Sequence, residues 1–380
     1  MKRVHYQLEE LLERKPILLD SNSISAQLNG KTVLITGAAG SIGSEIVRQV
    51  MLYNPKSIVM LDQAETPLYL LGLEVKDSGS SAQLFFELCS VVSREAVSYV
   101  FNKYKPQVVY HAAAYKHVQM MEENPIQAVL VNILGTKNTA EVALEHNVDT
   151  FVMISTDKAV NPGSVMGASK LIAERYVQAL HNKLVAEKNN SKTKFITTRF
   201  GNVLGSNGSV VPLFASQIEN GGPVTLTHPD IVRYFMTIQE ACQLVLEAGA
   251  MGQGAEIYIF DMGKPIKIRD LAYKMIRLSG KEPEKDIEIK IIGLRPGEKI
   301  NEELLNTLAE LLPTHNQNIM IAKEERVNFS YIYNNVKVII EHAKQYKFNE
   351  TVAGMKKLVP SFKSSNSKYE ALDNAKNNSH

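Results

Sequence analysis

One stretch limits the folds open to this chain more than any other. Residues 31–35 are a short apolar run, Thr36-Gly37-Ala38-Ala39-Gly40-Ser41-Ile42-Gly43 follows at once, and an apolar-periodic segment continues through Val50. That order reads as a buried strand, a tight turn and a helix. The glycines have separate tasks. Gly37 makes the turn, Gly40 lets the backbone approach a pyrophosphate, and Gly43 lets the helix pack on the strand. The helix start at Ser41, Ile42 and Gly43 offers free N–H groups and a partial positive charge to phosphate. A glycine pattern alone is weak, but a second apolar run, residues 57–61, ends in Asp62 about twenty residues past the last glycine. An acid there accepts from both hydroxyls of an adenosine ribose and repels a 2′-phosphate, so NAD is expected over NADP. Capping of the next helix is a second, compatible role for Asp62.

The alternation continues down the chain. Residues 84–88, 107–111, 150–154, 194–199 and 257–260 read as further strands. Helices fall between them, one from near Glu122 and one from about Val165 past Leu180. Strands that alternate with helices form parallel β-α-β units. The expected fold is therefore α/β: a Rossmann-type doubly wound parallel sheet with a smaller, mixed α/β C-terminal substrate domain. Residues 1–29 read as an N-terminal surface arm, with Leu8, Leu11 and Leu12 on one amphipathic turn. Residues 30–202 form the NAD-binding domain, to which 235–262 return. Residues 203–234 and 263–360 form the substrate domain. Residues 361–380, rich in Ser, Asn and Lys, read as a disordered tail.

Bulk properties exclude several classes. A formal net charge of +2 over 380 residues gives no reason to expect nucleic acid or an anionic surface as partner. Cys89 and Cys242 lie far apart, fit no metal spacing, and read as reduced thiols of a cytoplasmic protein. No metal site is expected. No apolar run approaches the length of a membrane span, and the N-terminus has no signal-peptide core.

Ligands of open α/β sheets bind beyond the carboxyl ends of the strands. The strand at 150–154 delivers Ser155-Thr156-Asp157-Lys158 to that edge, a hydroxyl, a carboxyl and an amine together. Met166 and Lys170 are four residues apart on one helix and share a face. Ala112, Ala113 and Ala114 follow the fourth strand, and small residues there let the backbone pass close to a flat cofactor. Lys116 and His117 come next and are candidates for substrate contact, although a lone histidine is more often structural than substrate-binding. Asn132, in the helix from near Glu122, is a candidate to brace the cofactor site through backbone contacts. The plainer alternatives are that Asp157 and Lys158 form a surface ion pair of little worth and that Thr156 caps a turn.

Thr36-Gly37-x-x-Gly40-x-x-Gly43, together with a stretch ending x-x-x-Lys170, resembles the extended short-chain dehydrogenase/reductase superfamily. Further motifs narrow the match: Ala112-Ala113-Ala114-Tyr115-Lys116-His117-Val118, residues 120–125, 155–161, 199–208 and 295–299, and Met166-Gly167-Ala168-Ser169-Lys170. Together these resemble the bacterial UDP-N-acetylglucosamine 4,6-dehydratases of the polysaccharide-biosynthesis type, over roughly residues 8–360. Gln119 stands where such proteins often have Pro, and Ser90 where many have an Asp that reaches the adenine. Met166 replaces the superfamily's Tyr but is common in this branch. Many members carry a membrane-spanning N-terminal region; this chain begins where their soluble catalytic part would begin, so it is expected to be a stand-alone soluble form with no integral membrane segment.

The resemblance implies a substrate, UDP-N-acetylglucosamine or a close UDP-sugar, and three steps in one pocket. Hydride leaves C4 of the sugar for NAD, water is lost across C5 and C6, and hydride returns to C6. The product is a 4-keto-6-deoxy sugar for surface-glycan or deoxy-amino-sugar synthesis. In that scheme Thr156 bonds the C4 hydroxyl, Asp157 protonates the departing C6 hydroxyl, and Lys158 takes the C5 proton. Lys158 must be neutral for this, and positive charge from Lys170 and the nicotinamide is expected to make it so. Lys170 grips the nicotinamide ribose. Asn202 reaches the diphosphate or the acetamido sugar, Arg233 and Arg295 clamp phosphate, Glu298 takes the uridine ribose, and Val211 and Pro212 lie along the uracil. A homo-oligomer is expected, at least a dimer built on the helices at Glu122 and Val165. Two other readings stand beside this one. A UDP-sugar 4-epimerase shares the first oxidation but would keep the Tyr, and a non-catalytic NAD-binding sensor or scaffold would not need Thr156, Asp157, Lys158 and Lys170 together.

Overall fold

The computed structural model describes residues 21–77, 79–187, 191–303 and 310–373. The strands of its large sheet are β1 (Thr32–Thr36), β2 (Ser57–Asp62), β3 (Gln83–Leu88), β4 (Val108–His111), β5 (Thr150–Thr156), β6 (Lys194–Phe200), β7 (Ile257–Phe260), β8 (Glu310–Pro313) and β9 (Ile319–Lys323). Their order across the sheet is β8-β9-β7-β6-β5-β4-β1-β2-β3. Every pair from β3 to β7 is parallel, and β9 and β8 add an antiparallel hairpin at the edge. This is the doubly wound order, with its switch between β1 and β4.

Alternating side chains fill two cores. Val33, Ile35, Ile58, Val152 and Ile154 face the helices Ser41–Met51 and Ile238–Met251. Leu34, Val59, Phe151 and Met153 face the helices Arg94–Tyr104 and Val165–Ala186. Continuous apolar runs are what strands covered on both faces require. A separate apolar cluster joins Val211, Phe214, Val224, Ile231, Phe235, Leu271 and Met275, and forms the small lobe.

The structure corrects three boundaries. Ser21–Leu28 of the expected surface arm is a helix whose Ile24 and Leu28 are fully buried in the main core. Gln27 Nε2 donates to Gly249 O at 2.9 Å. Leu8, Leu11 and Leu12 lie outside the described residues. The hairpin β8–β9 extends the large sheet rather than the substrate lobe, because Ile319 and Ala322 bury their side chains against it. The expected disordered tail packs on the body over residues 361–373: Phe362 and Tyr369 are buried, Lys363 N donates to Pro162 O and Ser365 N to Gly163 O. A polar composition did not reveal these two aromatic anchors.

The helices Phe329–Lys344 and Phe348–Leu358 also leave the expected substrate domain. Ile332, Val336, Ile339, Val352 and Met355 pack with Ile126, Val129, Leu171, Ile172 and Tyr176. They cover the helical run near Glu122 and the helix Val165–Ala186, on which the dimer was expected. A partner docking on this covered face would have to displace them.

One buried group gives a pH prediction. His111, 1% exposed, sits between Thr36 Oγ1 and Thr136 Oγ1 at 2.8 and 3.0 Å. Burial, and then nearby Lys170, pushes its pKa down to about 3 from 6.5. Between those values the unfolded chain binds a proton that the native chain refuses. Stability therefore falls as pH drops below 6.5, by about 1.4 kcal/mol per pH unit until about 3. Urea melts at pH 7 and pH 5 should show a smaller loss for His111→Asn than for the wild type; equal losses would contradict this.

Candidate active site

The cofactor side of the cleft is shaped by close approach. Gly37 has φ +66°, and a Cβ there would lie 2.6 Å from Ala113 N. The first turn thus presses directly on the chain after β4, as Gly37 and Ala112-Ala113-Ala114 require. A Cβ on Gly43 would lie 2.0 Å from Gly37 O, which leaves that position to glycine. Gly40, Asp62, Ala113, Tyr115 and Val131 line the cleft in between. Asp62 accepts from Ala39 N and Ala64 N, each at 2.9 Å, so its carboxylate is fixed at the end of β2. A narrow cleft with a pinned acid beyond a glycine turn fits a dinucleotide with free ribose hydroxyls. Ser41 Oγ accepts from Asn207 N at 3.1 Å and ties the turn to the opposite lobe. Ile42 packs against the main core. Ser90 Oγ accepts from Val92 N at 3.4 Å, so it shapes the turn after β3.

Asn132 does not reach the cleft. It is fully buried in a π-helical segment, Ala128–Gly135, and holds Tyr115 by both N–H and C=O, at 2.8 and 3.0 Å. Its Nδ2 also donates to Ser169 Oγ at 2.9 Å. It braces the segment after β4 rather than touching a cofactor.

Beyond β5 the chain makes one 3-10 turn, Asp157–Ala159, capped by Thr156. Thr156 Oγ1 donates to Asp157 Oδ1 at 2.7 Å, and Lys158 Nζ donates to the same oxygen at 3.0 Å. Asp157 is 1% exposed, and its Oδ2 has no partner among the described residues. Lys158 Nζ also donates to Asn202 Oδ1 at 2.9 Å. The surface-pair alternative fails on this burial. The protein's own groups oppose the neutral Lys158 that was expected with positive charge from Lys170 and the nicotinamide. Burial works against its charge, but Asp157 and Glu302 outweigh burial and Arg233, and the pKa is raised. Lys170, 5% exposed, donates to Ile154 O at 2.7 Å. Burial lowers its pKa to about 8, against a raising influence from Glu174. Met166 is 2% exposed and belongs to the apolar cluster under the C-terminal helices.

The sugar-nucleotide candidates divide. Lys116 Nζ donates to Ser206 Oγ at 3.3 Å, and His117 packs against Gly208. Arg233 is not a free clamp: Nη1 donates to Val232 O and Ile300 O, and Nη2 to Lys299 O. Its guanidinium fastens the loop that carries the other candidates. Glu298 accepts from Thr227 Oγ1 at 3.0 Å and from Arg295 N at 3.1 Å. The Arg295 side chain makes no hydrogen bond or ion pair among the described residues, and of the two arginines it is the one free to meet phosphate. Val211 is core, 4% exposed, while Pro212 is exposed in the first turn of the helix Val210–Glu219. Sequence reasoning missed Glu302, whose acid stands four residues beyond Glu298, and Gly167, where a Cβ would lie 2.1 Å from Lys158 O.

No group of three or more metal-ligating side chains is found among the described residues, and no described helix is long and apolar enough to cross a membrane. A family model described as polysaccharide biosynthesis protein matches residues 33–324. The capsular polysaccharide biosynthesis protein CapD of Staphylococcus aureus is 55% identical over 301 residues, 79% of this chain and 49% of that one. The chain thus spans about half the length of this curated relative. A UDP-N-acetylglucosamine 4,6-dehydratase (inverting) of Campylobacter jejuni is 32% identical, over 73% of this chain and 78% of its own. A UDP-glucose 4-epimerase of Rickettsia canadensis is 31% identical over the same shares. Among solved structures, Pen from Bacillus thuringiensis superposes with a TM-score of 0.70 at 32% identity, over 79% of this chain and 90% of that one.

Proposed function

Because the chain belongs to the polysaccharide biosynthesis protein family, we propose that it is an NAD-dependent 4,6-dehydratase acting on UDP-N-acetylglucosamine or a close UDP-sugar. The observation that carries this reading is the hydrogen-bonded set Thr156, Asp157 and Lys158 at the end of β5, with one buried Asp157 oxygen left over. Gly37, Gly40, Gly43, Asp62 and Ala113 hold the dinucleotide, and residues 203–234 with the 295–303 loop hold the nucleotide sugar. When bound, NAD supplies a reversible hydride acceptor for C4 that gives the hydride back at C6.

With Lys158 as the amine, the residues account for each proton that the substrate gives up or takes back. The C4 hydroxyl gives its proton to Thr156 Oγ1, which passes its own to Asp157 Oδ1, 2.7 Å away. Asp157, now protonated, delivers that proton to the departing C6 hydroxyl, which leaves as water. Lys158, as the amine, takes the C5 proton and later returns it to C5. This relay fills the gap left by Met166, since Thr156 and Asp157 do what a Tyr would otherwise do. An epimerase shares the C4 oxidation and could use the same Thr156–Asp157 acceptor, but it has no leaving hydroxyl for Asp157 to protonate and no C5 proton for Lys158 to take. Lys170 lends positive potential beside the nicotinamide ribose.

Incubation with UDP-N-acetylglucosamine should give a product lighter by one water, with the NAD content unchanged. No loss of water from any UDP-hexose by NAD-loaded protein would contradict the proposal. Met166 offers no proton chemistry, so Met166→Ala should keep measurable turnover. It should cost ~2–5 kcal/mol of stability, because it leaves a cavity in a packed apolar cluster. Complete loss in a folded variant would show that the Met acts on the substrate directly.

A further inference from the structure

Glu302 is an acid beside Lys158 that the proposed reaction has not used. Its side chain is 6% exposed, and its Oε1 lies 3.9 Å from Lys158 Nζ and 4.0 Å from Arg233 Nη2. Both separations are too long for hydrogen bonds, and its carboxylate makes none among the described residues. A carboxylate is seldom withdrawn from water on such terms unless its charge serves neighbouring cations. Its place is set from the same loop: Arg233 grips Lys299 O and Ile300 O, and so fixes the backbone just ahead of Glu302.

We propose that Glu302 is a positioning residue that holds the Lys158 ammonium in place and charged between turnovers, and so sets how readily Lys158 becomes the base. This rests on Lys158 being the C5 base. Three oxygens surround Lys158 Nζ: Asp157 Oδ1 at 3.0 Å, Asn202 Oδ1 at 2.9 Å and Glu302 Oε1 at 3.9 Å. The charged groups that face it are Asp157 on its own turn, Glu302 and Arg233 from the small lobe, and Lys116 from the chain after β4. The two acids favour the ammonium, the two cations oppose it, and the acids prevail over burial as well. Glu302 is the only one of the two acids with no proton to move in the reaction. Its removal tips the balance toward the amine while leaving the Thr156–Asp157 relay whole.

The test compares wild type, Glu302→Gln and Glu302→Asp as full-length, NAD-loaded protein. Two readouts are taken. One is the pH titration of the lysine Cε signal by 13C NMR, with Lys158 identified by its absence in Lys158→Ala. The other is the pH–rate profile. In Glu302→Gln the Lys158 midpoint and the acid limb of the rate should both move to lower pH, with turnover on the acid side of the wild-type limb rising several-fold. Glu302→Asp should restore most of the midpoint. A purely structural Glu302 would lower the rate equally at every pH and leave the midpoint in place, and that result overturns the proposal. If the midpoint moves but the wild type dehydrates no UDP-sugar, the Glu302–Lys158 coupling stands and the proposed function fails instead.

Discussion

Lys158→Ala is expected to lower dehydration by ~10³-fold or more while NAD stays bound. The amine is 3.0 Å from Asp157 and 2.9 Å from Asn202, and among the described residues no other amine or imidazole is hydrogen-bonded into the Thr156–Asp157 pair. Lys170 Nζ donates instead to Ile154 O at 2.7 Å and makes no hydrogen bond to Thr156 or Asp157 among the described residues. The cofactor cleft is built from other residues, the glycine turn, Asp62 and Ala113, so NAD content should not change. Removing the amine also leaves Asp157 buried without its cation, which makes stability worth measuring in parallel. Appreciable turnover by folded Lys158→Ala would remove it as the base.

The second large effect comes from a residue with no chemistry of its own. In Gly167→Ala the new Cβ would fall 2.1 Å from Lys158 O and 3.1 Å from Lys158 C. These are backbone atoms, and real Cβ atoms do not come so near. Either the helix start or the catalytic turn must move. The helix start is pinned, since Ser164 Oγ accepts from Gly167 N and Glu122 Oε1 accepts from Val165 N. The turn is therefore the part that yields. A displacement near 1 Å costs ~10²-fold in rate when it separates reacting groups. Gly167→Ala should thus lose ~10²-fold in kcat, with KM and NAD content near wild type. A kcat unchanged in this variant would mean that the turn tolerates the shift and that its geometry is less demanding than the relay requires.

Much of the fold was legible because parallel strands announce themselves. The runs at 31–35, 57–61, 107–111 and 150–154 are apolar on both faces, and the strands lie there within a residue or two. The glycine turn was legible because only glycine satisfies its contacts. Docking was not. Ile332, Val336 and Ile339 show that their helix buries a face, but periodicity does not say against what, and they meet the helix Val165–Ala186 rather than the small lobe. The hairpin β8–β9 hides in short, mixed stretches around Pro313 and Asn316. Within the site, Thr156, Asp157, Lys158 and Lys170 were placed by the strand end and by helical spacing. Glu302 was not, because it lies in an irregular loop where no period assigns a face. Arg233 was read as a phosphate clamp from its charge alone, and the sequence does not reveal that three backbone carbonyls claim its guanidinium.

The central claim is dehydration through a C5 proton taken at this site, and one measurement reaches it most directly. The NAD-loaded protein would be incubated with UDP-N-acetylglucosamine in D2O and followed by proton NMR. A new C6 methyl signal with deuterium at C5 is the predicted result, since the Lys158 amine exchanges with solvent before it returns its proton, and the C5 couplings would give the configuration there. Formation of the galacto isomer with no methyl signal would contradict the account and identify an epimerase instead.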